Sequence, residues 1–532
     1  MFLIAYKLSK RIFFLDKQFA DLPGPPPKSW ATGNLFQIFN AKGLPFLQSL
    51  EDNYGGVVRI HGFFGDEQLY ISDPRAIQSI MLKDQDSYEE TAVFTETNKV
   101  IFGPGLVATT GEQHKRQRRV VNPIFAVPHL KKLTPVFYEI AEKLADVLQK
   151  EISAAGSARK LDMYEWMCRV ALESVGRTVL GYSFDPLDSP HNNPYTSAIK
   201  DLIPTLFSLS LVRQFAPFLV KLGPPWFRRK LVEWTPHKSV QKVMNMSDVM
   251  HEKATEILGQ KRAQAINSTE DDEKDIISIL LRQNEKAKRS GGEQLSDIEL
   301  TGQMTVLVFG AQDTTSSCLS RVLHLLAENQ DVQDKIRSEI RATAEFESGA
   351  RMDYDALIKL PWLDAVLKET LRLYPPVPFV RRSAVKETVL PFLKTGTAET
   401  GSVRVPKDTI LFVSVAGANR LESVWGADAK EWKPERWFAG DSFTSDPALR
   451  LPGVFSGMLS FLGGGRSCVG YRFALLEMKI LLVILISRFK FTSTGEDIVW
   501  NLSQIISPSV RSMHLDKEPF EKKGLPLLCE CI

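Results

Sequence analysis

One cysteine is set apart by its neighbours. Residues 461–470 read Phe461-Leu-Gly-Gly464-Gly-Arg466-Ser-Cys468-Val-Gly470. Three consecutive glycines allow a tight turn and close backbone approach. The residues that follow, YRFALLEMKILLVILISRF, form a long apolar stretch with helical character. A cysteine at the mouth of a helix meets unsatisfied N–H groups and the positive end of the helix dipole, which favours thiolate over thiol. Arg466 adds a positive charge able to pair with an anionic group. A thiolate on a glycine-rich loop suits ligation of a haem iron. A turn around a buried structural thiol is the alternative that the loop alone leaves open.

A second constellation lies 155 residues upstream of Cys468, at Asp313 and Thr314. They sit in Phe309-Gly310-Ala311-Gln312-Asp313-Thr314-Thr315, inside an otherwise apolar run. Polar side chains there cost burial energy unless hydrogen-bonded. Gly310 and Ala311 are small enough for a flat ligand to pass close. A threonine hydroxyl bonding back to a carbonyl can loosen the helical ladder. The pattern predicts a groove with an acid and an alcohol side by side, suited to proton delivery. A polar cluster that serves packing is the other reading.

These groups need elements to hold them. Ser296-Asp-Ile-Glu299 reads as a capping box opening the helix that carries Asp313. Trp362 to Leu373 reads as a helix ended by prolines, with Glu369 and Arg372 three apart on one face. On spacing alone that pair is a surface ion pair worth little. Gly111 to Arg119 is a basic helix start holding His114 and Arg118. Val403 to Asn419 is β-branched and alternating around a Lys-Asp turn, which predicts a hairpin. Gly103-Pro-Gly105-Leu-Val-Ala108 matches G-x-G-x-x-A, yet no βαβ unit surrounds it, so a nicotinamide dehydrogenase is set aside.

The 532 residues are 44% hydrophobic with a net charge of +3. That balance gives no reason to expect nucleic-acid binding. No internal Gly/Ser or Pro-rich linker divides the chain, so one large helical unit is expected. Five scattered cysteines (168, 318, 468, 529, 531) argue for a reducing compartment and against a disulfide framework or zinc module. Residues 1–22 are apolar but broken by charges, too short to span a bilayer. They read as an atypical segment associating with a membrane surface, or as a disordered basic tail. Leu22-Pro-Gly-Pro-Pro-Pro-Lys28 then reads as a stiff extended hinge over 23–34. Cys529-Glu530-Cys531-Ile532 lacks the aliphatic residue a prenylation signal needs, so 521–532 reads as a frayed tail.

The ordered set Phe-x-x-Gly-x-Arg-x-Cys-x-Gly resembles the haem-binding loop of the cytochrome P450 family, here its eukaryotic microsomal, fungal-like branch. The resemblance runs from about Pro23 to Val510 in family order. It implies a mainly α fold with small β-sheets and a single large catalytic domain over 35–520. It makes Cys468 the proximal iron ligand of haem b, with Phe461, Gly464, Arg466 and Gly470 shaping the loop. His114 stands where the family has tryptophan, and with Arg118 it would bind haem propionates. Arg382 matches a third propionate position, with Arg381 as rival. The Asp313–Thr314 pair resembles the central-helix motif, although Ala311 stands where glycine is commoner. Glu369, Arg372 and the Arg436 of Trp432-Lys-Pro434-Glu435-Arg436-Trp437 would form a structural clamp. Lys115, Arg116 and Arg119 would lie on the proximal surface, facing an acidic reductase.

The activity implied is haem-thiolate monooxygenation. One oxygen atom from O2 enters a lipophilic small molecule, and electrons come from NADPH through an FAD/FMN flavoprotein reductase. Phe102, Phe309 and Phe379 occupy positions that would face substrate, as would the segments 94–102 and 377–379 and Ser507 to Ser509. The apolar stretch 202–227 beside Arg228, Arg229 and Lys230 reads as membrane-contacting or as packed on the helices. The expected place is the cytosolic face of the endoplasmic reticulum membrane, with an anchor incomplete in this sequence. Two other readings remain: a haem-thiolate isomerase or dehydratase without reductase, which the acid–alcohol pair disfavours, and a non-catalytic haem-binding sensor.

Overall fold

The computed structural model describes residues 18–188, 202–265, 275–393, 399–440, 444, 446–512 and 520–532. Helices form its body. The central helix, Asp297–Glu328, opens with the expected capping box: Ser296 Oγ accepts from the Glu299 amide, and Glu299 Oε2 accepts from the Ser296 amide. Its side chains are buried on most of its faces, so it must be packed from several sides. Helix Met163–Val175 lies against it, and helix Tyr471–Arg488 packs on helix Val127–Ala155. The helix runs unbroken through Thr314, whose Oγ1 donates to Gly310 O at 2.7 Å without opening the ladder.

The described strands form four small sheets. The largest runs in the order Val57–His61, Glu67–Ile71, Ile410–Ser414, Phe379–Ala384, Tyr88–Glu89. It carries Phe379 and Arg381 to the site. The hairpin expected over 403–419 does not form, although its strands do. Thr400–Val405 pairs with Thr388–Leu393, whereas Ile410–Ser414 pairs with Glu67–Ile71 and Phe379–Ala384. Leu411, Phe412 and Val413 are buried on successive positions, and a strand apolar on both faces belongs inside a covered sheet.

Two terminal expectations are corrected. Pro526–Cys531 is not a frayed tail: it is the middle strand of a three-stranded sheet, between Ala158–Asp162 and Phe489–Ser493. Leu525, Leu527 and Cys529 alternate into the core, a period the sequence reading passed over. The proline-rich hinge is not a free spacer either. Pro23 O accepts from Arg59 N at 2.8 Å, and the buried Asn34 bonds Pro26 O and the His61 amide. A Cβ at Gly24 would stand 1.9 Å from Arg59 O, so only glycine lets the segment lie this close. Residues 1–17 of the expected membrane-associating segment lie outside the described residues, while Phe19 and Leu22 are buried in the main core. Gly103-Pro-Gly105 joins helix Ala92–Phe102 to a short turn, with no strand before it. Its glycine serves packing, since a Cβ at Gly105 would meet Gly302 O at 2.5 Å.

Candidate active site

The cysteine loop closes on itself through Cys468 N donating to Phe461 O at 2.8 Å. Leu462 and Gly464 take left-handed conformations, at φ 57° and 66°. The glycines allow close approach, but to the protein's own backbone. A Cβ at Gly463 would lie 1.9 Å from Pro452 O, and one at Gly464 would lie 1.9 Å from Met81 O. Gly464 is accordingly off the cavity wall, whereas Phe461, Arg466, Cys468 and Gly470 are on it. The Cys468 side chain opens into the cavity although it sits deep in the protein body. Burial raises its thiol above the ordinary value; the Gly470 amide and Arg118 pull the other way. Burial is the largest of these effects. Binding a metal cation there would release the proton.

The central helix supplies further wall through Val306, Phe309, Gly310, Ala311 and Thr314. A Cβ at Gly310 would meet nothing within 4 Å, so the helix leaves open space there. Asp313 does not share this wall. Successive helical residues are turned by about 100°, and its carboxyl lies with Tyr164, Cys168 and Lys523. Acid and alcohol thus sit on different faces of the helix, and only the alcohol lines the cavity. Burial pushes the Asp313 carboxyl up to about 6, and Lys523 limits the rise. Phe102 packs behind Phe309, ring centres 4.5 Å apart, and Phe379 reaches the wall directly.

Cationic and neutral donors gather on the same cavity. His114 and Arg118 line it from helix Gly111–Val121. Burial, then Arg466, lowers His114 to about 4, so it is neutral at pH 7 and offers one N–H. Arg118 Nη1 donates to Ser467 O at 2.6 Å, tying its helix to the cysteine loop. Arg466 Nη2 holds Glu89 at 2.5 Å. Arg382 is buried and paired with Glu90 at 2.8 Å, while its rival Arg381 lines the cavity. Of the three cations assigned to a partner-facing surface, Arg116 is bound to the capping-box Glu299, and Arg119 pairs with Glu293 at 2.5 Å. Lys115 lies 3.1 Å from Glu112.

The clamp is buried, as the resemblance implies and the spacing alone does not. Arg372 Nη2 and Nε meet Glu369 at 2.7 and 2.9 Å, and Arg436 Nε meets it at 3.3 Å. Trp437 Nε1 donates to the same carboxylate at 3.0 Å, and Arg372 Nη1 also holds Asn419 O and Ala429 O. A fully buried pair of this kind persists because every donor is taken.

A soft sulfur, a slot over Gly310 and a set of carboxylate-binding donors fit a haem with two propionates. A family model described as Cytochrome P450 matches residues 23–514. The chain belongs to the cytochrome P450 family. A cytochrome P450 monooxygenase of Postia placenta is 40% identical over 507 residues, 93% of this chain and 92% of that protein. A ganoderic acid synthetase of Ganoderma lucidum is 37% identical over 92% of this chain and 91% of its own length. A Hericium erinaceus P450 is 33% identical over 95% and 93%. Membership implies a haem-thiolate cofactor. This P450 also places on its cavity residues that sequence reasoning missed: Glu90, Arg213, Gln214 and Gln504. The signal in the sequence is a lone arginine, Arg213, inside the apolar stretch 202–227.

Proposed function

We propose that this P450 is a monooxygenase that inserts one oxygen atom of O2 into a lipophilic small molecule. Its electrons come from NADPH through an FAD/FMN flavoprotein reductase, at the cytosolic face of the endoplasmic reticulum membrane. The observation that carries the reading is one apolar cavity holding both the Cys468 sulfur and the Thr314 wall. When bound, the haem supplies dioxygen activation. Cys468 holds it through sulfur, and His114, Arg118, Arg382 and Arg466 are the candidates for its propionates. Thr314 keeps a hydroxyl proton on the wall, and Asp313 behind it is an acid poised near neutrality. Phe309 and Phe379 shape an apolar surface that excludes water from the reacting bond.

The exposed Phe215, Phe218 and Trp226 support membrane contact. Among the described residues no helix is long and apolar enough to cross a membrane. Cys468→Ala is expected to abolish the ferrous–CO Soret band typical of thiolate haem; an unchanged band would sink the assignment. Thr314→Ala is expected to divert NADPH consumption from product to peroxide, and unaltered coupling would remove Thr314 from proton delivery. NADPH-driven product formation separates the monooxygenase from a reductase-independent isomerase and from a sensor.

A further inference from the structure

Two arginines stand on the cavity wall away from the cysteine loop, and one of them, Arg381, is the rival of Arg382 for a propionate. Arg213 ends the short helix Ser210–Arg213, and Arg381 lies on the strand Phe379–Ala384. Both line the cavity together with Gln214 and Gln504. Among the described residues, each donates its side-chain hydrogen bond to a neutral oxygen. Arg381 Nη1 donates to Gln214 Oε1 at 3.0 Å, and Arg213 Nη1 donates to Gln504 Oε1 at 3.4 Å. Arg213 Nε is buried without a hydrogen-bond partner among the described residues. Glu90 is the one acid among the described lining residues, and it is ion-paired with Arg382 at 2.8 Å.

A guanidinium has five N–H donors in a fork that matches a carboxylate, and most of the donors here have no hydrogen-bond partner among the described residues. The forks are also held in place. Arg381 stacks near the rings of Phe39 and Phe412, at 5.3 and 5.8 Å. Gln504 sits at φ 73°, in the one-residue turn between Asp497–Ser503 and Ile505–Ser512. A left-handed glutamine is uncommon and marks a position held by its surroundings. Burial lowers both arginines to about 10, and Arg213 adds to the lowering of Arg381. Glu90 pulls Arg381 the other way but is itself paired with Arg382. Among the described residues the two neighbouring cations have no acid of their own, which is costly in an apolar wall unless an anion arrives. The haem propionates already have His114, Arg118, Arg382 and Arg466 as candidates.

We propose that Arg213 and Arg381 form an anion subsite at the substrate end of the cavity, and that the substrate is an amphipathic carboxylic acid. Its apolar body packs on Phe309 and Phe379, and its carboxylate takes the two guanidinium forks. The proposal rests on the haem-thiolate reading and adds the class of substrate to it.

The test uses the haem-loaded full chain and substrate-induced Soret shifts. The probes are matched acids and methyl esters of three bodies: hexadecanoic acid, abietic acid and oleanolic acid. At least one acid is expected to bind about tenfold or more tightly than its ester. In Arg213→Met and Arg381→Gln that preference collapses while ester binding is kept, and Arg381→Lys retains part of it. Equal binding of acid and ester in all three pairs would overturn the proposal. Loss of haem from both arginine variants, measured as pyridine haemochrome, would also overturn it and assign the pair to the propionates. Absence of the thiolate-type CO band in the wild-type protein would take down the underlying reading first.

Discussion

Asp313 and Glu477 are both carboxyls inside the helical body, and burial raises both, to about 6 and about 8. Glu477 lies buried on helix Tyr471–Arg488, and the Ser174 hydroxyl beside it is a smaller effect that pulls the other way. A carboxyl whose folded-state value lies above its unfolded value of 4.5 stays neutral in the fold while it ionises in the open chain. Its stabilising proton is present below pH 4.5 and is lost as pH rises towards 8. Glu477→Gln therefore matches wild-type pH dependence below 4.5 and pulls ahead above it. We expect the melting temperature of the variant, relative to wild type, to rise by roughly 2–4 °C from pH 5 to pH 8. A gap that is flat with pH would mean that Glu477 is ionised in the folded state. Sequence reasoning gave Glu477 no role, because a glutamate on a long helix is ordinarily solvated.

Two glycines on the central helix show what an element can and cannot reveal. Gly302 and Gly310 each weaken the helix by about 1 kcal/mol relative to alanine. A Cβ at Gly302 would press on Gly105 N at 2.8 Å, whereas one at Gly310 meets open space. Gly302→Ala should lower the melting temperature by several degrees, by pushing the 103–108 loop off the helix. Gly310→Ala should leave it equal or higher. Thermal melts followed by far-UV circular dichroism check both, and equal effects would mean that propensity alone decides. The capping box and the helix it opens were legible because caps are local. The 403–419 hairpin was not: alternation marks strands without naming the strand each one joins.

At the scale of the whole molecule, the chain ends meet the body. Pro526–Cys531 joins two strands that begin more than 300 residues apart, Ala158–Asp162 and Phe489–Ser493. Ending the chain at Gly524 would leave both neighbours with bare edges and uncover Met163, which contacts Cys529. We expect the truncated protein to lose its cooperative melt or its soluble expression; an unchanged melting temperature would restore the tail reading. Likewise Glu369, Arg372 and Arg436, adjacent to one another only after folding, read as a weak surface pair from spacing and become a buried clamp once Trp437 and Asn419 close over them.

The order of motifs from Pro23 to Val510 and the single cysteine in its glycine-rich loop were enough, by themselves, to identify the family and the candidate metal ligand, because spacing along one loop or one helix turn is local information. Asp313 and Thr314 were legible as a pair, but that only Thr314 meets the cavity was not, since it depends on which neighbours surround the central helix. Which arginines share a cavity was decided only by tertiary structure. Arg213 and Arg381 are 168 residues apart, and no pattern within either segment shows that the other, or Gln504, lies across the same space.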